Sequence, residues 1–305
     1  MNIFEQRNIK RLVEVELDGL HNLKPSKYPT FVKNILFTIL FNKEKFKHII
    51  TKNVEIPQIE FVLTTRCTLR CQDCVNYIPL INNHIEMNLD DFKTYVNNLL
   101  NATSKIHNLI LIGGEPLLVK NLNEFLEFVA TKRKIKNIYI VSNGTLVPSD
   151  KLISAMKKYR KKFTYWLSDY SGNEKLQPIL KKEQIFNVLN KHKIKYVFNE
   201  SLQWNACSPP KDNKRSKEDI IAYYKRCLHP CLSVISGKLT QCPRTSTYLT
   251  LGMLPSNILS LDLKKNIKKK DLYEFYNNDY YPSCNYCNFH EDFLLPKVIP
   301  AIQKR

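Results

Sequence analysis

Three cysteines lie within eight residues of this 305-residue chain, in the stretch CTLRCQDC, at positions 67, 71 and 74. Iron–sulfur cubanes are usually held by four thiolates, so a set of three leaves one iron with an open position for a ligand. Zinc is the alternative, but structural zinc takes four ligands, and the nearest further candidate is His84. The spacing therefore predicts a three-cysteine [4Fe–4S] cluster held by Cys67, Cys71 and Cys74.

The elements that position these cysteines form a repeating pattern of strands and helices from about residue 57 to residue 205. Apolar runs predict strands over 58–65, 108–114, 136–144, 162–170 and 194–200. Helices are predicted between them over 88–103, 121–133, 148–159 and 177–193, with Asn88 as the N-cap of the first. This alternation predicts a parallel sheet with right-handed crossovers, forming a barrel or partial barrel.

Polar and glycine-rich segments follow each strand of this predicted sheet. The cysteine triplet follows the first strand, and the later strands end in the segments 113–116, 142–144, 168–170 and 199–200. The carboxyl ends of parallel strands lie on one face, and in β/α barrels that face carries the active site. The sequence therefore predicts one site that gathers all five segments.

Outside this pattern the sequence is less regular. The apolar run FVKNILFTILFN (31–42) is expected to form a packed helix, with a membrane-surface helix as the alternative because the following KEKFKH is basic. After residue 205 we expect a helix over 217–227, a hairpin over 232–242 that turns at Ser236-Gly237, and irregular structure as far as Cys287. The predicted units are a mostly helical extension, a barrel, a cysteine-rich domain and a tail, over residues 1–55, 56–205, 206–290 and 291–305.

The composition argues against several classes of protein. The net charge is +19, but lysines are spread along the chain, with runs only at 158–163 and 264–270. Specific nucleic-acid binding is therefore not expected, because it needs a clustered basic face with stacking aromatic residues. Nine cysteines, no signal-peptide core and no run that could span a bilayer predict a cytoplasmic protein whose cysteines serve metal or redox chemistry. The oligomeric state stays open.

The cysteine triplet after a first strand, followed by GGEP (113–116) after the second, resembles the radical S-adenosylmethionine (radical SAM) superfamily. The resemblance covers about residues 57–200 and implies an α/β fold with a partial (β/α)6 TIM-like barrel. It also implies an open iron that chelates S-adenosylmethionine, reduction by a partner such as flavodoxin or ferredoxin, and cleavage to a 5′-deoxyadenosyl radical that abstracts a substrate hydrogen.

The same resemblance implies a set of cofactor-binding residues: Gly113, Gly114, Glu115, Ser142, Asn143 and Ser168. The glycines would allow backbone approach beside the methionine moiety, and Glu115 would contact its ammonium group. Ser142 and Asn143 would contact the ribose or the carboxylate, with Ser168 in a similar role. An ordinary strand-to-helix turn is the alternative for 142–144.

One residue departs from the pattern of the family. An aromatic residue commonly stands just before the third cysteine, near the adenine, but this chain has Asp73 there. Adenine packing is then expected from another side chain, such as Tyr77 or Ile78.

The later cysteines are similar to the SPASM/twitch extension that many radical SAM enzymes carry. This likeness implies an auxiliary [4Fe–4S] cluster held by Cys227, Cys242, Cys284 and Cys287, with Cys231 as an alternative to Cys227. A zinc knuckle, in which His229 or His290 could replace a cysteine, is the competing interpretation.

Two residues are candidates for catalysis. Cys207 is a candidate hydrogen-atom donor, with an ordinary loop cysteine as the alternative. Arg244 could face the cleft and contact the substrate, or lie at the surface after a cluster ligand.

The expected reaction is oxidation or epimerisation of a small polar, sugar- or aminocyclitol-like substrate, because twitch-bearing relatives act on such molecules. Modification of a ribosomally made peptide is the alternative. A non-catalytic iron–sulfur or zinc protein is the third class.

Overall fold

Strands and helices alternate along the middle of the chain, as the sequence pattern predicts. The computed structural model of the protein describes residues 3–18, 29–198, 202–227, 231–255 and 258–304. The strands are β1 (Glu55–Val62), β2 (Lys105–Ile112), β3 (Ile135–Ser142), β4 (Phe163–Leu167), β5 (Tyr196–Phe198), β6 (Leu232–Ile235), β7 (Lys238–Thr240) and β8 (Leu261–Asp262). The α-helices are α1 (Ile3–Asp18), α2 (Thr30–Thr51), α3 (Leu89–Ala102), α4 (Leu122–Ala130), α5 (Asp150–Lys158), α6 (Lys182–Lys191), α7 (Lys217–Arg226), α8 (Pro243–Thr250), α9 (Lys269–Tyr276) and α10 (Phe289–Leu294).

These strands form one sheet, in the order β5-β4-β3-β2-β1-β6-β7-β8. Neighbouring strands from β5 to β6 are parallel, and β7 and β8 continue the sheet in antiparallel fashion. The helices α3 to α6 connect β1 to β5 in turn. The predicted α/β fold class, with a parallel-dominated sheet of the partial TIM-like kind, is confirmed. The end of the fifth predicted strand, 199–200, lies outside the described residues.

The sixth parallel strand enters the sheet at an edge that the sequence does not indicate. β6 pairs with β1, where Ile59 lies opposite Leu232, rather than with β5. The predicted hairpin is confirmed, since β6 and β7 pair around Ser236 and Gly237, which both have positive φ. The hairpin therefore belongs to the same sheet as the barrel strands.

Local sequence signals explain why the crossover helices begin where they do. Asn88 caps α3 by accepting a hydrogen bond from the backbone N–H of Asp91 at 2.8 Å, as predicted, and Ser149 caps α5 in the same way. The apolar faces of these helices cover the sheet. Phe92 on α3, for example, lies edge-on to Phe61 of β1, with 5.3 Å between ring centroids.

The N-terminal helices correct one prediction. α2 contains the run 31–42, but none of its residues is buried, so the expectation of a packed helix is wrong. The helix rests on α1 with one face only, and no other described element covers the opposite face. Among the described residues, no helix combines the length and the apolar character needed to cross a membrane.

The C-terminal third is more helical than expected. The prediction of irregular structure up to Cys287 is wrong for two segments, α8 and α9. α8 begins with Pro243 in its first turn, and at the start of α9 the backbone N–H of Lys268 donates to the carboxylate of Asp271 at 3.0 Å. Beyond α10, the tail returns to the barrel, where Val298 pairs with Trp204 and Gln303 with Cys71. The domain boundaries remain predictions.

Candidate functional site

The loop that follows β1 presents its three cysteines to one cavity. Cys67, Cys71 and Cys74 all line this cavity, whose volume is about 310 Å³. Residues from the ends of β2, β3 and β4 complete the wall, so the carboxyl ends of the strands meet here as predicted. Of the expected cofactor residues, this wall includes Gly113, Gly114, Asn143 and Ser168.

The three thiols are close enough to perturb one another. Burial raises the pKa of Cys71 to about 12, with Cys74 and Cys67 adding to the rise, and burial raises the pKa of Cys74 to about 11. Thiolates at these positions need positive charge beside them, which a bound metal group would supply. Within the described ranges, no three or more Cys, His, Asp or Glu side chains are arranged so that they could hold a single metal ion. Three thiols that line one cavity match the donors of three irons of a cubane, as the spacing predicts.

Gly113 and Gly114 lock the cysteine loop against β2. A Cβ on Gly114 would lie 2.3 Å from the carbonyl oxygen of Arg66 and 2.7 Å from the Cβ of Cys67. A Cβ on Gly113 would lie 2.5 Å from the carbonyl oxygen of Thr64. The N–H of Gly114 donates to that same Thr64 oxygen at 2.8 Å. Only glycine permits this approach, which is what brings the two segments to one wall.

Glu115 and Ser142 lie behind this wall rather than in it. The carboxylate of Glu115 accepts hydrogen bonds from the backbone N–H of Asn143 at 2.8 Å and of Leu117 at 3.0 Å. Its side chain is fully buried, and burial raises its pKa to about 7 despite these donors. Ser142 is also buried and accepts from the N–H of Gly144. Both residues fix the conformation of the 142–144 turn. The resemblance implies instead that they contact the cofactor directly.

Asn143 ties this turn to the cysteine loop. Its Nδ2 donates to Thr68 Oγ1 at 2.9 Å and reaches Cys67 Sγ at 3.6 Å. Its Oδ1 accepts from the N–H of Thr145 at 3.0 Å, which closes an Asx turn. The segment is therefore both a strand-to-helix turn, the alternative weighed from the sequence, and part of the cavity wall.

Two aromatic residues of the cavity were missed by the sequence analysis. Tyr170 and Trp204 both line it, with 5.3 Å between their ring centroids. Burial raises the pKa of Tyr170 well above its usual value, and Cys71 adds to the rise, so the phenol lies near the thiols. Tyr170 ends the segment 168–170 and could have been inferred from that position. Trp204 lies in a loop whose sequence carries no such signal.

The C-terminal tail was also missed, and it holds the cysteine loop from outside. Gln303 Oε1 accepts from the N–H of Arg70 at 2.6 Å, and its Nε2 donates to Cys71 Sγ at 3.7 Å. The N–H of Gln72 donates to the carbonyl of Ile302 at 2.7 Å. The tail therefore pairs with the cysteine loop through its backbone, as a neighbouring strand would. No other described segment pairs with this loop in the same way.

Asp73 and Tyr77, singled out from the sequence, have structural partners. Asp73 lines the cavity and accepts from the backbone N–H of Cys207 at 2.9 Å. Tyr77 points away from the cavity, donates to the carbonyl of Ser208 at 2.9 Å and lies against Tyr248. Of the two residues expected near the adenine, only Ile78 is in the cavity wall.

The later cysteines form a second set, which does not line this cavity. Burial raises the pKa of Cys284 well above its usual value, and Cys242, Cys227 and Cys287 each raise it further. Burial likewise raises the pKa of Cys242 to about 12. The structure thus brings together four cysteines from the end of α7, the start of α8 and the 3-10 helix Pro282–Tyr286 with the residue after it.

Cys231 borders this set from the inner side of the barrel sheet. It packs with Ile110 and Tyr139 in a buried cluster. Burial raises its pKa well above the usual value, Glu60 adds the largest further rise, and Cys242 of the second set adds a smaller one.

The histidines weighed as zinc ligands have other partners or fall outside the description. His290 Nε2 is 3.1 Å from the carbonyl oxygen of Tyr223 and the two rings pack edge to face. His84 Nδ1 is 3.4 Å from Thr65 Oγ1. His229 lies outside the described residues.

Cys207 and Arg244 lie between the two cysteine sets. Arg244 is 6% exposed, forms an ion pair with the buried Asp292 at 3.1 Å, and reaches Cys207 Sγ at 3.6 Å and Cys287 Sγ at 3.9 Å. Cys207 Sγ is 3.6 Å from the carbonyl oxygen of Cys74. Neither side chain is among those that line the cavity, and Asp292 holds the charge of Arg244 in the interior. Contact of Arg244 with the substrate stays a prediction.

Comparison with known proteins agrees with the motif resemblance. Residues 61–194 match the sequence model of the Radical SAM superfamily. The chain is similar to the GTP 3′,8-cyclase of Pelotomaculum thermopropionicum, 34% identical over 101 residues, which are 31% of this chain and 29% of that protein. The enzyme of the same name from Heliobacterium modesticaldum is 28% identical over 96 residues, again 31% of this chain and 29% of its own length. The chain thus spans less than a third of these curated relatives.

Solved structures of similar proteins match with low scores. The structure of BtrN in complex with AdoMet and 2-DOIA has a TM-score of 0.47 at 18% identity, over 77% of this chain and 94% of that one. The structure of Streptococcus suis SuiB bound to precursor peptide SuiA has a TM-score of 0.41 at 15% identity, over 87% of this chain and 76% of that one.

Proposed function

We propose that the protein is a radical SAM enzyme that acts on a small polar substrate, because residues 61–194 match the sequence model of the Radical SAM superfamily. The observation that carries the proposal is the cavity walled by Cys67, Cys71 and Cys74 on one side and by the ends of β2 to β4 on the other. A [4Fe–4S] cluster held by Cys67, Cys71 and Cys74 would pass one electron from an external reductant to S-adenosylmethionine, whose cleavage to methionine and a 5′-deoxyadenosyl radical would allow abstraction of a substrate hydrogen.

The residues around the cavity would bind the cluster and the cofactor and would limit the access of solvent. Cys67, Cys71 and Cys74 would hold the cluster, and Gly113 with Gly114 keep their loop at a fixed distance from β2. Asn143 and Ser168 offer polar contacts to the bound cofactor from the opposite wall. Tyr170, Trp204 and the tail cover the site, which limits the access of water and stray reductants to a reactive radical.

The second cysteine set fits an auxiliary cluster. Cys227, Cys242, Cys284 and Cys287 supply four thiolates, the number that fully ligates a cubane. A fully ligated, enclosed cluster has no open iron for a substrate, so its function would be to pass electrons. Arg215 supports this interpretation. Its guanidinium donates to the backbone carbonyls of both Cys284 and Cys287 at 2.9 Å, which holds these two residues close to each other.

An electron conduit favours oxidation of the substrate over the other reactions considered. A substrate radical must lose a second electron to become an oxidised product. Arg244 reaches Cys287 of the second set and also Cys207, whose thiol lies 3.6 Å from the carbonyl oxygen of Cys74 in the first set. Epimerisation would instead need a hydrogen-atom donor, for which Cys207 remains the candidate. Its thiol faces Arg244 and the Cys74 carbonyl, which supports a positioning role.

The side chains of the cavity wall support a small polar substrate. Sugar- or aminocyclitol-like molecules fit the mixture of polar and apolar side chains in the wall, which includes Asn76, Asn205 and Ile78. Modification of a ribosomally made peptide is the second candidate. The match to cyclases covers less than a third of the chain and does not determine the substrate.

The test is the cleavage of S-adenosylmethionine by anaerobically reconstituted protein with dithionite, followed as 5′-deoxyadenosine by mass spectrometry. We expect cleavage by the wild type and none by Cys67→Ala/Cys71→Ala/Cys74→Ala. Deuterated sugars or aminocyclitols that transfer deuterium to 5′-deoxyadenosine would identify the substrate class. Absence of cleavage by protein with a full complement of iron would contradict the proposal.

A further inference from the structure

The outer face of α2 is an apolar stripe with no described partner. Seven apolar side chains on this helix are between 38% and 74% exposed: Phe31, Val32, Ile35, Ile39, Phe46, Ile49 and Ile50. At 3.6 residues per turn they fall within an arc of about 100°. An apolar stripe of this width normally faces a core, so this one requires a partner that covers it.

The opposite face of α2 fixes the stripe in its outward orientation. α2 packs against α1, and Lys47 pairs with Glu44 of the same turn and with Glu55 at the start of β1. Near its end, the His48 ring stacks on Tyr273 of α9 with 5.5 Å between centroids. Because these contacts occupy the inner face, the helix cannot bury the stripe by rotating about its own axis.

The surroundings of the stripe carry positive charge. α2 has four lysines against one glutamate, and that glutamate, Glu44, is paired with Lys47. Lys43 and Lys45 are exposed and border the stripe on either side. The run KKNIKKK (264–270) adds five lysines and leads into α9, whose Tyr273 stacks on His48 of α2. The two acidic residues of α9, Asp271 and Glu274, are engaged with Lys268 and Lys270.

This combination of apolar and basic surface selects among the possible partners. A second copy of the chain would bring two sets of these lysines together in a molecule whose net charge is +19, which repulsion disfavours. A membrane with anionic lipid offers an apolar layer and negative headgroups at once. The helix is too polar to span a bilayer but has the length and pattern to lie in its surface. We propose that α2 docks by this stripe onto a membrane surface that contains anionic lipid.

The experiment is vesicle flotation of the full-length protein. Vesicles of phosphatidylcholine alone are compared with vesicles that also contain phosphatidylglycerol, at low and high salt. We expect the protein to float with the anionic vesicles and to be released as salt rises. Ile39→Ser/Phe46→Ser should lower the partition about tenfold or more, since both side chains lie mid-stripe. Lys43→Gln and Lys45→Gln should each lower it about fivefold.

Leu294→Ser is the matched control, because Leu294 is 87% exposed but lies on α10. It should float like the wild type, and circular dichroism should show that all variants are folded. The proposal is overturned if the wild type fails to float with anionic vesicles, or if Ile39→Ser/Phe46→Ser floats as well as the wild type. It is also overturned if analytical ultracentrifugation shows a dimer that the same double variant dissociates, since a second copy would then cover the stripe.

Discussion

The two cysteine sets of this molecule differ in origin and in surroundings. The first comes from one loop of eight residues and lines a cavity of about 310 Å³. The second is assembled from three separate elements, and its Cys242 and Cys284 are surrounded by protein, so that burial dominates the rise of both pKa values. An open set can bind a ligand at a metal, whereas a cubane held by an enclosed set of four would have no open iron and would serve electron transfer. The difference predicts separate functions for two sites with the same side-chain chemistry.

The largest expected effect comes from separating these functions by mutation. Cys284→Ala/Cys287→Ala should abolish product formation but retain cleavage of S-adenosylmethionine, because the first set is untouched. The measurement compares 5′-deoxyadenosine with product in single-turnover assays. Cys231→Ala is the matched control and should retain both activities, since Glu60 rather than a cysteine is its largest charged neighbour and Cys231 is not among the thiols that raise the pKa of Cys284. Loss of cleavage in a folded second-site variant would remove the distinction between the sites.

The ion pair of Arg244 and Asp292, which lies between the two cysteine sets, gives the next largest effect. Arg244→Gln leaves the buried Asp292 without its partner and should lower the free energy of unfolding by about 3–5 kcal/mol, measured by urea denaturation. The matched control is Lys238→Gln, whose partner Asp262 is one-third exposed, and it should cost about 1 kcal/mol or less. Arg244→Met/Asp292→Leu should recover most of the loss. Equal costs for the two single variants would contradict the assignment of Arg244 and Asp292 as a buried ion pair.

The buried carboxyl group beside Cys231 predicts a dependence of stability on pH. Burial raises the pKa of Glu60 from 4.5 to about 7. The native state therefore keeps this proton to a higher pH than the unfolded chain does. Protonated Glu60 therefore contributes fully to the free energy of unfolding below pH 4.5. This contribution falls by about 3 kcal/mol as the pH rises from 4.5 through 7. Glu60→Gln stays neutral, so its unfolding free energy should lack this part of the decline.

The Glu60→Gln variant also tests whether Cys231 is a ligand in the second cysteine set. If Cys231 were a metal ligand, Glu60→Gln would change the spectrum of the second cluster as well as the pH profile. We expect the spectrum to be unchanged. A pH profile identical to that of the wild type would contradict the assignment of Glu60 as a proton-binding group in this range.

The smallest effect concerns the tail. Gln303→Ala removes the N–H that points at Cys71 Sγ, 3.7 Å away. Loss of one such hydrogen bond, about 1 kcal/mol, should lower the reduction potential of the first cluster by about 40 mV. The second cluster serves as an internal control, because its potential should not move. A shift of both potentials, or of neither, would contradict a specific contact between the tail and the first site.

Much of the barrel could be predicted because its signals are local. Alternating apolar runs and caps such as Asn88 act over a few residues, and the structure confirms them. The glycine pair after β2 could be placed at the site because parallel strands end on the same face.

The remaining features depend on contacts between distant parts of the chain. The pairing of β6 with β1 and of Gln303 with Cys71 joins residues more than 170 positions apart, and no local pattern specifies either. The position of Arg244 beside Asp292 is of the same kind. The exposure of α2 was missed for a different reason: apolar periodicity shows that a face needs a cover, but not that the cover lies within the same chain.

The most direct test of two distinct cysteine sites is the iron and sulfide content, with EPR, of anaerobically reconstituted wild type and of Cys67→Ala/Cys71→Ala/Cys74→Ala. Two cubanes predict about eight irons per chain, falling to about four in the variant, with one EPR signal retained. About four irons falling to none, with zinc bound to the second set, would contradict the account and make that set a structural zinc site.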